Sequence, residues 1–167
     1  MLSRPDRNTC IDWLLQNNTK YHLTITFKKY TPDKECRRLL NRFIKHLNRS
    51  IFKKRYDSGK SFIKGFAIQE YTHSMETSHF HLLIASDDWL PSIERLEQLI
   101  RRKVSYFRRS NSRYCITDYL LQAYYNDGNN KLERYLTKQF EFNRSNSFNN
   151  IGWLSDKDIY FGDINDY

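Results

Sequence analysis

The chain of 167 residues has few of the residues that mark several common protein classes. Its 5 glycines and 3 prolines argue against a collagen-like or loop-dominated chain. Its 3 cysteines form no CxxC pair, so neither a zinc finger nor a disulfide framework is predicted. No apolar run approaches the roughly 18 residues of a membrane span, and no signal-peptide core is recognisable. These absences predict a soluble, cytoplasmic protein with reduced thiols and no membrane partner.

The residues that are abundant predict one packed domain with a basic surface. Hydrophobic residues make up 39% of the chain and aromatic residues 16%, which is enough for a continuous core. The 28 Lys and Arg outnumber the 19 Asp and Glu, giving a formal net charge of +9. A small domain with this excess attracts polyanions, and nucleic acid is the commonest such partner.

The hydrophobic pattern predicts an α+β fold. Alternating apolar residues predict three strands, at 21–27, 61–72 and 78–85. Helical spacing predicts helices at 8–17 and 131–140 and two longer ones that begin at Thr31 and Pro91. Segment 114–125 is long enough for a helix, whereas its β-branched and aromatic residues favour a strand. The expected packing is a mostly antiparallel central sheet with helices on it.

Both long helices carry basic residues on their polar faces. Such a face is either simply solvated or binds the phosphates of a nucleic acid. The candidate DNA-binding residues are Arg37, Arg38, Arg42, Lys45, Arg101, Arg102, Arg108 and Arg109.

The segment around His79 and His81 is the most informative in the chain. Side chains two residues apart on a strand share a face, so the two imidazoles should converge and suit a divalent metal. Glu70 lies nine residues earlier, on the other strand of a predicted hairpin, and is the best third ligand. His73, in the loop, is its rival. Two imidazoles and a carboxylate suit Mg²⁺ or Mn²⁺, whereas two ordinary strand histidines are the alternative.

A second candidate site lies on the predicted helix 131–140. Tyr135 and Lys138 are three residues apart and should share a helix face. A tyrosine hydroxyl is a weak nucleophile, and a nearby cation would stabilise its phenolate. With 12 tyrosines in the chain, however, this spacing also arises by chance.

Taken in order, these segments resemble the HUH endonucleases. The segment 79–84, HFHLLI, resembles their HUH motif, and 135–138, YLTK, resembles the YxxK motif of rolling-circle replication initiators. The strand 22–27, HLTITF, resembles the first motif of those initiators. The resemblance covers residues 21–140 and implies a ferredoxin-like or RRM-like HUH nuclease fold. We expect an endonuclease domain at 1–142. The residues after Phe140 have no counterpart in the family motifs, and their composition predicts a C-terminal extension at 143–167 packed on that domain, anchored by Trp153, Ile159 and Tyr160.

The resemblance also implies a mechanism. A metal held by Glu70, His79 and His81 would polarise a scissile phosphate, and Tyr135 would attack it, assisted by Lys138. The products would be a 5′-phosphotyrosine and a free 3′-hydroxyl, so that a plasmid or viral origin can be nicked and rejoined. Single-stranded DNA or an origin hairpin is the implied substrate. No Walker A motif is present, so a helicase would have to come from a separate host protein.

Two other interpretations stay open. A single-tyrosine HUH transposase or a relaxase shares the chemistry, although Lys138 and the late position of Tyr135 favour an initiator. A non-catalytic module could instead bind single strands by stacking on aromatic residues such as Tyr21 and Phe27.

Overall fold

The computed structural model describes residues 18–71, 77–109, 113–125 and 151–159, together with Asp12, Gln16, Arg134 and Phe161. The helices are α1 (Asp33–Phe52), α2 (Lys54–Asp57) and α3 (Ile93–Arg109). The strands are β1 (Thr19–Phe27), β2 (Gly65–Tyr71), β3 (Ser78–Ala85), β4 (Ile116–Ala123) and β5 (Ile151–Trp153). None of the helices in these ranges is long and apolar enough to span a bilayer.

The described strands form one antiparallel sheet in the order β4-β1-β3-β2-β5. Strands β1 to β4, with α1 and α3, follow the β-α-β-β-α-β succession of the ferredoxin-like split β-α-β motif. Strand β3 therefore lies in the centre of the sheet, between β1 and β2. The prediction of an α+β fold with a mostly antiparallel sheet is confirmed.

The core lies between one face of the sheet and the two long helices. On β1 the alternate residues Leu23, Ile25 and Phe27 are buried, as strand periodicity requires. The apolar stripe of α1 meets that of α3, where the rings of Phe43 and Phe107 are 6.1 Å apart and edge-to-face. Each such side chain contributes roughly 1.5–3 kcal/mol through its burial.

Helix α1 begins and ends for local reasons. Pro32 precedes it with extended backbone, and its carbonyl accepts hydrogen bonds from the N–H groups of Glu35 and Cys36. Acidic residues in its first turn are favourable at the positive end of the helix dipole. The helix ends at Phe52 because Lys53 has a φ of 52°, which breaks the helical path.

Strand β2 begins later than the sequence pattern indicates. Residues 61–64 run into the sheet without strand pairing, and pairing starts at Gly65. The φ of Gly65 is 134°, and a Cβ at this position would lie 1.9 Å from the carbonyl oxygen of Leu83. Only glycine allows the chain to cross this closely, so Gly65 determines where the strand can begin.

The ambiguous segment 114–125 forms β4, in agreement with its β-branched and aromatic content. Strand β5 pairs with β2, and Leu154 and Ile159 belong to the same core as the rest of the sheet. Of the predicted helices at 8–17 and 131–140, only Asp12, Gln16 and Arg134 lie within the described residues.

Candidate metal centre

The face of the sheet turned away from α1 and α3 carries two rows of polar side chains. In the first row, His79 on the central strand lies opposite Thr26 on one side and Glu70 on the other. In the next row, His81 lies opposite Thr24 and Ile68. The sheet therefore brings the three predicted ligands, Glu70, His79 and His81, onto one face.

His81 makes the closest contact with the carboxylate. Its Nε2 lies 2.7 Å from Oε2 of Glu70, and both side chains are mostly buried. At the other end of the ring, Nδ1 lies 3.2 Å from Oγ1 of Thr24 and 3.1 Å from Nε2 of His22. Glu70 lies directly opposite His79 on the neighbouring strand, and its contact with His81 is to the diagonal position two residues further along β3. Its carboxylate is therefore near both histidines.

His79 is held in the same way as its neighbour. Its Nδ1 lies 2.9 Å from Oγ1 of Thr26, which leaves Nε2 at the far end of the ring. Two threonines of β1 therefore engage the Nδ1 atoms of two histidines of β3. Metal-binding histidines are commonly oriented by a partner on the second ring nitrogen, and this pairing has that form.

The reverse side of the β2–β3 hairpin is fixed to the start of α1. The amide nitrogen of Gln69 donates to Oδ1 of Asp33 over 3.0 Å, and the hydroxyl of Ser78 donates weakly to the same oxygen over 3.4 Å. Gln69 and Ser78 precede Glu70 and His79 in the chain. These contacts hold the register of the hairpin at the level of the candidate site.

Burial favours the neutral form of His79 and of His22. The pKa of His79 is lowered by burial and by the charge of His81, and Glu70 partly opposes this. Burial, followed by the charge of His81, lowers the pKa of His22 from 6.5 to about 4. Both side chains are therefore neutral at physiological pH, as an imidazole that ligates a metal must be.

The donor types of Glu70, His79 and His81 fit a divalent cation. Nε2 of His81 and Oε2 of Glu70 are 2.7 Å apart, which is a hydrogen-bond distance, so a cation bound by both atoms would take the place of the shared proton. Among the residues that the structure describes, no three His, Cys, Asp or Glu side chains are grouped so that they could hold a metal ion. The metal is therefore a hypothesis that rests on donor chemistry and on the orientation of the two rings.

The four predicted DNA-binding residues of α1 lie in the helical layer, behind the sheet as seen from the candidate site. All four are in contact with other side chains of the same fold. The contacts are Arg37 with Gln69 at 3.1 Å, Arg38 with Glu35 at 2.8 Å, Arg42 with the ring of Phe107 at 5.5 Å and Lys45 with Asp158 at 2.8 Å.

The four basic residues of α3 are exposed on the same layer. Arg101 forms an ion pair with Glu97 at 2.9 Å, and Arg108 donates to the carbonyl of Thr117 at the start of β4. The structure therefore does not bring the predicted DNA-binding residues together with Glu70, His79 and His81. Tyr135, Lys138 and His73 lie outside the described residues.

His22 belongs to the candidate site, and the sequence pattern did not single it out. The apolar residues of segment 21–27 predict the strand, and they form the buried face of β1. The other face carries His22, Thr24 and Thr26, a polar alternation next to an expected histidine strand. That alternation of polar residues could have indicated that His22 lies beside the two histidines.

Comparisons of the chain with protein-family models, with curated proteins and with solved structures gave no match at a significant level. The assignment of a function therefore depends on the geometry of the site and on the sequence motifs alone.

Proposed function

We propose that this protein is a metal-dependent endonuclease that nicks and rejoins single-stranded DNA through a 5′-phosphotyrosine, as HUH replication initiators do. The observation that carries the proposal is the cluster of His79, His81 and Glu70 on adjacent strands of a ferredoxin-like sheet. This cluster of partly buried polar side chains lies on the face of the sheet away from the two long helices. Buried imidazole and carboxylate groups of this kind are typical of functional sites.

The proposal gives each polar residue of the site a task. Glu70, His79 and His81 would hold Mg²⁺ or Mn²⁺, while Thr24 and Thr26 contact the Nδ1 atoms of the two imidazole rings. The bound cation would withdraw charge from the scissile phosphate. Hydrogen bonds to the neighbouring strand fix the two rings, and the contact between Nε2 of His81 and Oε2 of Glu70 would open to admit the cation.

The nucleophile comes from the sequence motif at 135–138. The hydroxyl oxygen of Tyr135 attacks the phosphorus and forms a new phosphodiester, while its proton is released. The bond from phosphorus to the 3′ oxygen breaks, and that oxygen takes up a proton to become a 3′-hydroxyl. Lys138, three residues further along the sequence, stabilises the phenolate. Rejoining is the reverse of these steps and needs no ATP.

The direct test is the formation of a covalent adduct. The protein is incubated with Mn²⁺ and with single-stranded oligonucleotides that tile its source replicon, and the products are separated on a denaturing gel. An oligonucleotide labelled at its 3′ end should transfer the label to the protein, whereas one labelled at its 5′ end should not. Tyr135→Phe should abolish the adduct, and the matched change Tyr125→Phe, at an 84% exposed residue of the described fold, should not.

Metal binding is tested separately. His79→Ala should weaken Mn²⁺ binding in calorimetry by at least about tenfold while circular dichroism shows an intact fold. An adduct that forms equally in Tyr135→Phe would refute the nucleophile, and unchanged metal affinity in His79→Ala would refute the metal site. Binding of DNA without any adduct would favour the non-catalytic module.

A further inference from the structure

The turn between β1 and α1 places an exposed aromatic ring next to two lysines. Lys28, Lys29 and Tyr30 follow β1 directly, and all three are exposed. Tyr30 is 71% exposed, so its ring contributes little to the core of the described fold. A single-stranded nucleic acid binds to such a combination, because bases stack on aromatic rings and cations contact the phosphates.

The backbone of Tyr30 is also unusual for its residue type. Its φ is 60°, in the left-handed region that bulky side chains rarely adopt. The turn is closed by the N–H of Thr31, which donates to the carbonyl of Lys28 over 3.2 Å. Glycine or asparagine would suit this position better. A tyrosine that is both strained and exposed therefore points to a role outside the fold itself.

The turn lies at the end of the sheet that carries the candidate metal centre. Thr26, which contacts Nδ1 of His79, precedes Lys28 by two positions. The N–H of Lys28 donates to the carbonyl of Cys115 over 2.9 Å, which ties the turn to the segment before β4. That segment adds the exposed Arg113, whose guanidinium lies 5.3 Å from the ring centre of Tyr114.

We propose that Lys28, Lys29, Tyr30 and Arg113, together called the turn surface, bind single-stranded DNA. A base stacks on Tyr30, and the three cations contact the phosphates that flank it. The role of this surface in leading a strand toward His79 and Glu70 rests on the function proposed above. The location differs from the basic helix faces that the sequence favoured, because those faces lie on the opposite side of the sheet.

The experiment measures the binding of a fluorescent oligothymidylate by anisotropy, with a chelator present so that no cleavage occurs. Tyr30→Gly should weaken binding about fivefold or more, because a stacking contact is lost. Tyr30→Trp, which keeps an aromatic face, should bind within about twofold of the wild type. Tyr106→Ala, at an exposed tyrosine of α3, is the matched control and should leave affinity unchanged.

The cations are tested with one arginine from each surface. Arg113→Gln should weaken binding and reduce its dependence on salt concentration, whereas Arg95→Gln, at an exposed arginine of α3, should do neither. The proposal is overturned if Tyr30→Gly binds as tightly as the wild type. It is also overturned if a duplex of the same length binds as tightly as the single strand, because paired bases cannot stack on Tyr30.

The stability of Tyr30→Gly separates loss of contact from loss of structure. Glycine relieves the left-handed conformation, so the urea midpoint should stay unchanged or rise while affinity falls. A fall in both would overturn the stacking role. If the turn variants bind weakly but wild-type protein forms no adduct with Mn²⁺, the nicking function fails and the turn surface stands.

Discussion

Acidification should destabilise the fold through His22. This side chain is 8% exposed, and its Nε2 lies 3.1 Å from Nδ1 of His81. The other ring nitrogen of His81, Nε2, contacts Glu70. Burial is the main cause, and the charge of His81 the second, of the fall in its pKa from 6.5 to about 4. Protonation of His22 would place a charge in a buried site with little water.

The size of the effect follows from the two pKa values. Between pH 4 and 6.5 the unfolded chain binds this proton more readily than the folded chain does, so the free energy of unfolding rises with pH. The stabilisation is fully present above pH 6.5 and is lost as the pH falls toward 4. With a pKa of 6.5 in the unfolded chain and about 4 in the folded one, the loss at pH 5 is about 2 kcal/mol.

The assay is urea unfolding followed by circular dichroism at pH 7.5 and pH 5, with a chelator present. The matched variant is His22→Gln, whose side-chain amide can keep a hydrogen bond to His81 and does not titrate. The wild type should lose about 2 kcal/mol more than the variant between the two pH values. The pKa values of His46 and His79 are also lowered, but both residues are present in the wild type and in the variant. Their contributions to the loss of stability therefore cancel when the two proteins are compared. An equal loss in both proteins would refute the assignment of a buried, neutral His22.

Two further predictions concern the packing that supports the site. Gly65→Ala should prevent correct pairing of β2 with β3, because the added Cβ would lie 1.9 Å from the carbonyl oxygen of Leu83. A variant with a native-like circular dichroism spectrum and an unchanged free energy of unfolding would contradict this prediction. Asn48→Ala should lower the free energy of unfolding, measured in urea, by about 1–3 kcal/mol, because Oδ1 of Asn48 accepts a hydrogen bond from the buried N–H of Ile63 over 2.7 Å. A decrease smaller than the error of the measurement would mean that water replaces the side-chain amide.

The fold was predictable where local patterns are strong. The alternation at 21–27 and 78–85 gave β1 and β3 within two residues, since one face of each strand packs on the helices. The start of β2 was missed because it depends on how closely Gly65 crosses Leu83, a contact between distant parts of the chain. Segment 114–125 stayed ambiguous because its length allows a helix while its β-branched and aromatic residues favour a strand, and its pairing with β1 decides between them.

The candidate site was predictable in part. The two-residue spacing of His79 and His81 fixed their common face, and the hairpin placed Glu70 across from them. The place of His22 depends on which strand lies next to β3, and this order is not visible in the local pattern. The position of the basic helix residues relative to the site was not predictable either, because a row of cations on a helix does not reveal which side of a sheet the helix covers.

The central position of β3 has a consequence for the timescale on which the site can change. Both edges of this strand are paired, with β1 and with β2, so its amide groups are released only when the sheet itself opens. The backbone that carries His79 and His81 is therefore expected to be among the slowest-exchanging parts of the protein. When a cation or a DNA strand binds, side chains would rotate and the turns at the end of the sheet would move, while the backbone of β3 would keep its position.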